Sequence, residues 1–359
     1  MSMKAAKSAA LLPDVECPRP NRRAAQATEL TQSTASFIPC QARGDLMRLT
    51  INDMEIVFAP KMQTLDEAAR ALGLTRIETR MFERFYGLRQ FPHDESQNLT
   101  ALIEPALHNI VGRHAAMADD IKLCVHCHTI PSVTPFDAPI LPSLVRRVVG
   151  EHVEYAGYTM SHCATGLVAL EQLASWLGDD EYALVIIAEK AFHPKVQLIA
   201  DTTIMGEAAC VLLVSRRPGP VRLLGTTTTR DGQFSINSGH FTDASPMHFP
   251  HSYTDFVCRH IIKSLEHAGL GLNDIAHIAP HNVNLASWKD IERTLSLPAG
   301  KIVMENIAQY GHCFGADPFI NLQHLIETKQ IKPGDKVLLI SIGLGITAAS
   351  AIVEYVPEV

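Results

Sequence analysis

The stretch from Tyr155 to Gly178 reads as a short strand, a turn of small residues and a helix with one buried face. Its apolar positions repeat at intervals of three and four residues, as on a helix that packs against other elements: Leu167, Leu170, Leu173, Ala174 and Leu177. Gly178 is a natural end for such a helix. A helix buried in this way requires covering layers, and this requirement constrains the fold of the whole chain.

Cys163 lies in the turn, at the predicted start of that helix, and Ala-Thr-Gly166 follows it. Unpaired N–H groups and the positive end of the helix dipole favour a thiolate at such a position. A buried cysteine can also be an inert small apolar residue. This stretch alone leaves both interpretations open, and the downstream residues must decide between them.

Apolar runs with strand character alternate with helical patterns along the chain, which predicts an α/β fold with covered mixed sheets. The predicted strands are Leu46–Phe58, Ile121–His128, Ala183–Glu189, Ala208–Ser215, Val221–Thr229, Ile275–Ala279, Ile302–Asn306, Val337–Ile342 and Ala348–Val356. The predicted helices are Leu65–Leu72, Leu99–His114, Leu144–Val149, Asp255–His267, Leu285–Leu295 and Asp317–Thr328. A long loop is expected between Pro131 and Pro142.

The length of 359 residues favours two domains, or one domain built from two halves. The order of elements is similar in residues 46–220 and 221–359, which indicates two related α/β halves, the first with Cys163. Residues 1–45 contain prolines, arginines and a polar run, and they are expected to form a flexible extension.

The net charge of −7 argues against a nucleic-acid partner. No apolar run approaches the ~18 residues of a membrane span, and the N-terminus lacks the apolar core of a signal peptide. The expected location is therefore the cytoplasm, where the eight cysteines stay reduced.

Two histidines join Cys163 as candidate functional residues. His281 follows a predicted strand in His281-Asn-Val-Asn284, and His312 precedes a predicted helix in Tyr310-Gly311-His312-Cys-Phe-Gly315. Loops at the ends of sheets are where α/β proteins place their chemistry.

Four motifs in this order resemble the thiolase superfamily, and most closely its β-ketoacyl-ACP synthase III branch, from about Leu46 to the C-terminus. They are Ser161-His-Cys163-Ala-Thr-Gly166, His281-Asn-Val-Asn284, Tyr310-Gly311-His312 and the closing loop Gly343-Leu-Gly345. The resemblance implies a thiolase-like fold of two similar halves in αβαβα layers.

The resemblance also implies the chemistry of acyl transfer. Cys163 would be acylated by an acyl-CoA or acyl-carrier-protein thioester, with His281 and His312 assisting. Backbone N–H groups of Cys163 and Leu344 would form the oxyanion hole, supported by Gly343 and Gly345. The remaining implications are that Asn284 orders the His281 loop, that Arg84 or Arg89 meets a nucleotide phosphate, that no cofactor is permanently bound, and that the chain forms a homodimer.

The sequence departs from the family at three places. His312 replaces an asparagine, Leu344 replaces a glycine, and the segment that usually carries a nucleotide-stacking tryptophan has none, which favours a carrier protein over CoA as donor. Decarboxylative condensation with a malonyl thioester, in specialised metabolism of polyketide type, stands slightly ahead of transfer to oxygen or nitrogen. The sequence is also compatible with a thioester hydrolase that uses the same cysteine and with a non-catalytic scaffold.

The run Cys124-Val-His126-Cys127-His128 has the spacing of a metal site. Alternation along a strand would send Cys127 to the face opposite Cys124, His126 and His128. We therefore expect no metal here, and a strand whose end lines the acyl pocket.

Overall fold

The computed structural model describes residues 49–129, 140–232 and 249–357, and for residues 249–252 the backbone only. The predicted extension of residues 1–45 lies outside the described residues. Most of the predicted loop between Pro131 and Pro142 also lies outside them.

The strands are β1 (Thr50–Phe58), β2 (Met62–Thr64), β3 (Gln90–Pro92), β4 (Ile121–Cys127), β5 (Glu154–Tyr158), β6 (Tyr182–Ala188), β7 (Leu198–Ile199), β8 (Thr203–Ile204), β9 (Ala208–Ser215), β10 (Val221–Arg230), β11 (His277–Pro280), β12 (Lys336–Gly343) and β13 (Thr347–Tyr355). The helices are α1 (Leu65–Leu72), α2 (Arg76–Arg84), α3 (Leu99–Arg113), α4 (Ile140–Val149), α5 (Thr165–Trp176), α6 (Pro194–Gln197), α7 (Phe249–Ala268), α8 (Leu285–Thr294), α9 (Ile307–Tyr310) and α10 (Asp317–Glu327).

Nine strands form one mixed sheet in the order β11-β12-β13-β10-β1-β9-β6-β4-β5. The pairs β4–β5, β4–β6 and β11–β12 are parallel, and the others are antiparallel. The earlier and later strands meet where β1 pairs with β10, at Thr50 with Arg222 and Ile51 with Val221. The two predicted sets of strands are therefore joined by hydrogen bonds.

The helices form three layers around this sheet. Helices α5 and α10 share one apolar cluster with strands of both sets. Helices α3 and α4 cover the outer face of the first set, and α7 and α8 cover the outer face of the second. Most positions of α5 between Thr165 and Ala174 are buried, as expected of a helix that packs against both sets of strands. The predicted αβαβα arrangement of the thiolase-like fold is confirmed.

Two predicted elements are wrong. Residues 302–306 do not form a strand: Ile302 makes one isolated bridge with Ile278, and the chain then turns into α9. Pro142 lies within the first turn of α4 rather than in a loop. A proline is tolerated there because the N–H groups of the first turn have no acceptor within the helix. The division at residues 220 and 221 into two domains stays a prediction. No helix in the described ranges is long and apolar enough to cross a membrane.

Candidate active site

Cys163 lies in a turn between β5 and α5. Residues His162–Ala164 form a single 3₁₀ turn, and α5 begins two residues after the cysteine, at Thr165. The hydroxyl of Ser341 on β12 donates to the carbonyl oxygen of Cys163 at 2.9 Å. A Cβ atom on Gly343 would lie 2.1 Å from the Ser161 carbonyl oxygen. The end of β12 thus packs against the turn so closely that only glycine fits at position 343.

His281 follows directly after β11 and is held by backbone groups. Its Nδ1 accepts a hydrogen bond from the Ile342 N–H at 3.2 Å, so the ring hydrogen is on Nε2. The indole Nε1–H of Trp288 donates to the His281 carbonyl oxygen at 2.8 Å. Burial lowers the pKa of His281 well below its usual value, and the charge on His312 lowers it further. His281 is therefore a neutral hydrogen-bond donor.

His312 reaches Cys163 from the turn before α10. Its Nε2 lies 3.2 Å from the Sγ of Cys163, and its backbone is bonded to Ile204 and Gly206. Gly311, just before it, has a φ of +62°, and a Cβ there would lie 2.8 Å from the Ile204 carbonyl oxygen. Glycine at position 311 therefore allows the close approach that brings the imidazole to the sulfur.

Asp317, at the start of α10, completes the arrangement. Its Oδ2 accepts from His312 Nδ1 at 2.5 Å and from the Asn282 N–H at 2.6 Å, and its Oδ1 accepts from the Cys313 N–H at 2.7 Å. The side chain is fully buried, and it stands at the positive end of a helix dipole. Three donors thus hold the carboxyl group of Asp317 behind His312, opposite Cys163.

The charge on His312 follows from its two neighbours. Burial alone would lower the pKa of His312, but the charges of Cys163 and Asp317 and the hydrogen bonds to both raise it to about 10. The protonated form of His312 is therefore favoured at neutral pH, with the Cys163 sulfur 3.2 Å from its Nε2. The thiol, imidazole and carboxylate lie in the same order as the nucleophile, base and orienting carboxylate of cysteine and serine acyl-transfer sites.

A cavity of about 680 Å³ opens onto these residues. Cys163, His281 and His312 line its inner end, with Tyr253 beside them. Further residues of the lining include Phe85, Tyr86, Ile199, Val283, Asn284, Gly343 and Leu344. Asp201 and Asp290 are the acidic residues of the lining, and no arginine or lysine of the described chain contributes to it.

The supporting residues predicted from the sequence lie in different surroundings. Leu344 lines the cavity with 41% of its side chain exposed, and Gly345 follows it with a φ of +84°. The Asn284 side chain accepts from the Ser287 N–H to cap α8 and donates to the Thr202 carbonyl oxygen. Asn284 therefore ties the start of α8 to the segment between β7 and β8.

Arg84 and Arg89 are exposed, and neither lines the cavity. The residues of this segment that reach the cavity are the aromatic Phe85 and Tyr86. The contact of either arginine with a nucleotide phosphate stays a prediction.

The metal-like run on β4 is divided between the two faces of the sheet. Cys124 packs in the outer apolar cluster and Cys127 in the inner one, while the His126 Nε2 lies 3.1 Å from the Ala188 carbonyl oxygen. Among the described residues, no three histidine, cysteine or acidic side chains are grouped as metal ligands.

Three residues of the site were not singled out as site residues from the sequence: Asp317, Trp288 and Tyr253. Asp317 carries the clearest signal, because an acidic residue at the start of a helix follows His312 by five positions. The other two contact His281 from residues seven and 28 positions away, and no local pattern marks them.

Comparisons with known proteins agree with this fold. The family model for the C-terminal part of 3-oxoacyl-[acyl-carrier-protein] synthase III matches residues 265–355. The β-ketoacyl-[acyl-carrier-protein] synthase III of Wolbachia pipientis is 23% identical over 277 residues, 73% of this chain and 86% of that protein.

Two solved structures share the fold. One is ChlB3, described as an acyltransferase, with a TM-score of 0.72 and 19% identity, covering 86% of this chain and 98% of that one. The other is 3-oxoacyl-[acyl-carrier-protein] synthase III from Aquifex aeolicus, with a TM-score of 0.69 and 18% identity, covering 86% of this chain and 100% of that one.

The fold and these matches define an enzyme of the acyltransferase class with the thiolase fold. Within the thiolase superfamily, the chain is similar in sequence and fold to β-ketoacyl-ACP synthase III proteins.

Proposed function

We propose that this enzyme takes an acyl group from a thioester onto Cys163 and transfers it to the oxygen or nitrogen of a protic acceptor. The observation that carries the proposal is the 3.2 Å contact between Cys163 Sγ and His312 Nε2, with Asp317 bonded to the other ring nitrogen. This contact supplies a nucleophile and a proton carrier at one point of the cavity.

The first step of the proposed reaction uses the Cys163 thiolate and the His312 imidazolium. The Cys163 thiolate attacks the thioester carbonyl carbon, and the carbon–sulfur bond to the donor thiol breaks. The departing thiolate takes the Nε2 proton of His312 and leaves as a thiol. The N–H groups of Cys163 and Leu344 are the proposed donors to the carbonyl oxygen while it carries negative charge.

The second step reverses the proton transfer. Acylation removes the thiolate charge that raises the pKa of His312, and the ring is now neutral with its lone pair on Nε2. The acceptor O–H or N–H gives its proton to that nitrogen while its heteroatom attacks the acyl carbon. The bond to Cys163 breaks, and the thiolate–imidazolium pair forms again.

Condensation is the second candidate, and the sequence alone placed it slightly ahead. Decarboxylation of a malonyl thioester requires hydrogen-bond donors for the developing enolate. A neutral His312 bonded to Asp317 through Nδ1–H presents an acceptor to the cavity, whereas an asparagine would present a donor. In that state His312 gives the enolate no hydrogen bond, and the Nε2–H of His281 is the donor left for condensation; the hydrogen bond from the Ile342 N–H to His281 Nδ1 is the observation that favours this candidate.

The proposed donor is an acyl carrier protein, with acyl-CoA as the second candidate. No lysine or arginine among the described residues lines the cavity, and its acidic side chains would face a nucleotide phosphate unfavourably. A carrier protein presents the pantetheine arm without the adenosine phosphate. A homodimer in the cytoplasm with no permanently bound cofactor completes the proposal.

The test is intact-protein mass spectrometry after incubation with acyl-CoA and acyl-carrier thioesters, with Cys163→Ala beside the wild type. We expect a stable mass gain in the wild type that the variant lacks. Adding alcohols, amines or a malonyl thioester to the acylated enzyme then identifies the acceptor. Turnover retained in Cys163→Ala would refute the role of this cysteine, and release of free acid without any acceptor would favour a hydrolase.

A further inference from the structure

Tyr253, in the second turn of α7, forms a hydrogen bond with the Nε2 of His281 in the cavity. Its hydroxyl oxygen lies 3.0 Å from His281 Nε2. Because His281 Nδ1 accepts from the Ile342 N–H, Nε2 carries the hydrogen and the Tyr253 oxygen accepts it. Tyr253 lines the same cavity as Cys163 and His312, so this contact lies at the reaction centre.

A condensing reaction requires that same Nε2–H for its substrate. The enolate formed from a malonyl thioester must be stabilised by donors aimed at its oxygen, and His281 is the neutral imidazole donor of this site. When Nε2–H is bonded to Tyr253, a malonyl carbonyl can reach it only by displacing the hydroxyl. That displacement breaks the hydrogen bond between the Tyr253 hydroxyl and His281 in a buried site, which costs free energy.

We propose that Tyr253 determines acceptor specificity by engaging the His281 donor, which suppresses malonyl decarboxylation and leaves proton transfer through His312 as the productive route. The inference rests on the proposed function. It concerns the choice between its two candidate reactions, and it assigns Tyr253 a positioning role that acts through His281. The rates of the two candidate reactions are therefore measured on enzyme already acylated on Cys163, so the comparison does not depend on how Tyr253 affects acylation.

The experiment measures two rates in wild type and in Tyr253→Phe, each first acylated on Cys163. One is CO₂ release from a malonyl thioester, and the other is acyl transfer to an alcohol or amine. Tyr253→Phe removes the hydroxyl and keeps the ring, and we expect CO₂ release to rise at least about tenfold, as for a donor restored to an oxyanion site. Tyr355→Phe, at the far end of β13, is the matched control for a lost tyrosine hydroxyl.

A purely structural role for Tyr253 would lower both rates and raise neither. Tyr253→Leu is the second variant, since it frees Nε2 without a phenyl ring in the way. Unchanged or lower CO₂ release in both variants, with Cys163 still acylated to the wild-type extent, overturns the inference and leaves the proposed function intact. A wild type that condenses as fast as it acylates protic acceptors overturns both. The wild type could also show neither CO₂ release nor acyl transfer to an alcohol or amine, while the Tyr253→Phe enzyme releases CO₂. That result overturns the proposed function and supports suppression of decarboxylation by Tyr253.

Discussion

His281 and His312 lie in one cavity with ring centres 5.5 Å apart, and their pKa values shift in opposite directions. Both rings are buried, and burial lowers the pKa of each. His312 has a carboxylate on one nitrogen and a sulfur on the other, whereas His281 has a backbone N–H and a phenol. The hydrogen-bond partners, rather than the depth of burial, thus account for the opposite pKa shifts of the two histidines, and the proposed roles in proton transfer and hydrogen-bond donation rest on that difference.

The largest expected change in activity follows from replacing each of the two histidines by asparagine in turn. We expect His312→Asn to lower kcat/KM for transfer to a protic acceptor about 10³–10⁴-fold, because an amide cannot take the acceptor proton. His281→Asn keeps a donor, and the expected loss is about tenfold. Steady-state kinetics with one donor and one alcohol or amine gives both values. Equal losses in the two variants would show that the histidines do not have different roles.

Asp317→Asn tests the partner that makes His312 different. We expect kcat to fall about 10²–10³-fold, because the amide no longer fixes the tautomer of the ring or balances its charge. The loss is smaller than for a serine nucleophile, since a thiol is partly ionised without help. A thermal melt of the variant checks that the buried bonds to Asn282 and Cys313 survive. A folded variant with wild-type kcat would exclude Asp317 from the mechanism.

The pH dependence of Cys163 alkylation tests the influence of His312 on the cysteine directly. The raised pKa of His312, about 10, keeps a positive charge beside the Cys163 sulfur at neutral pH, and a neighbouring positive charge favours the reactive form of a thiol. We expect iodoacetamide to modify wild-type Cys163 about 100-fold faster than His312→Asn at about pH 6.5, two units below the pKa of an ordinary thiol. The two rates should converge at about pH 9. Parallel profiles would mean that His312 does not hold the thiolate.

Trp288→Phe gives the smallest effect, because Trp288 holds the backbone of His281 and transfers no proton. Loss of the indole N–H leaves the buried His281 carbonyl oxygen without that hydrogen bond. We therefore expect the free energy of unfolding to fall by about 2 kcal/mol. Urea titration measures this change. Trp176→Phe is the control, since 48% of that side chain is exposed, and its effect should stay within about 0.5 kcal/mol. An equally small change in the free energy of unfolding of Trp288→Phe would show that the indole does not hold His281 in place.

The sequence predicted the elements that local pattern determines. The continuous apolar run of β6 and the periodic apolar face of α5 were both recognisable, as was the turn with Cys163 between β5 and α5. The strand predicted over residues 302–306 failed because an apolar run pairs only where a neighbouring strand is available, and β11 offers Ile302 a single bridge.

The candidate site was predictable only in part, for a physical reason. The motifs identified Cys163, His281 and His312, but the partners that set the charges on the histidines are not part of those motifs. Asp317 reaches His312 because the chain turns at Gly311, and Tyr253 reaches His281 because α7 packs on β10 and β13. Such contacts depend on tertiary structure, and residue spacing alone does not indicate them.

The most direct measurement is the ¹⁵N NMR spectrum of histidine-labelled enzyme before and after acylation of Cys163, with His281→Asn and His312→Asn for assignment. Before acylation, we predict an imidazolium at His312 that titrates at a pKa of about 10, and a neutral ring with its hydrogen on Nε2 at His281. After acylation, the His312 signal should become that of a neutral ring with its hydrogen on Nδ1, bonded to Asp317. A His312 that is neutral beforehand, or still doubly protonated afterwards at neutral pH, would contradict the proton cycle on which the account rests.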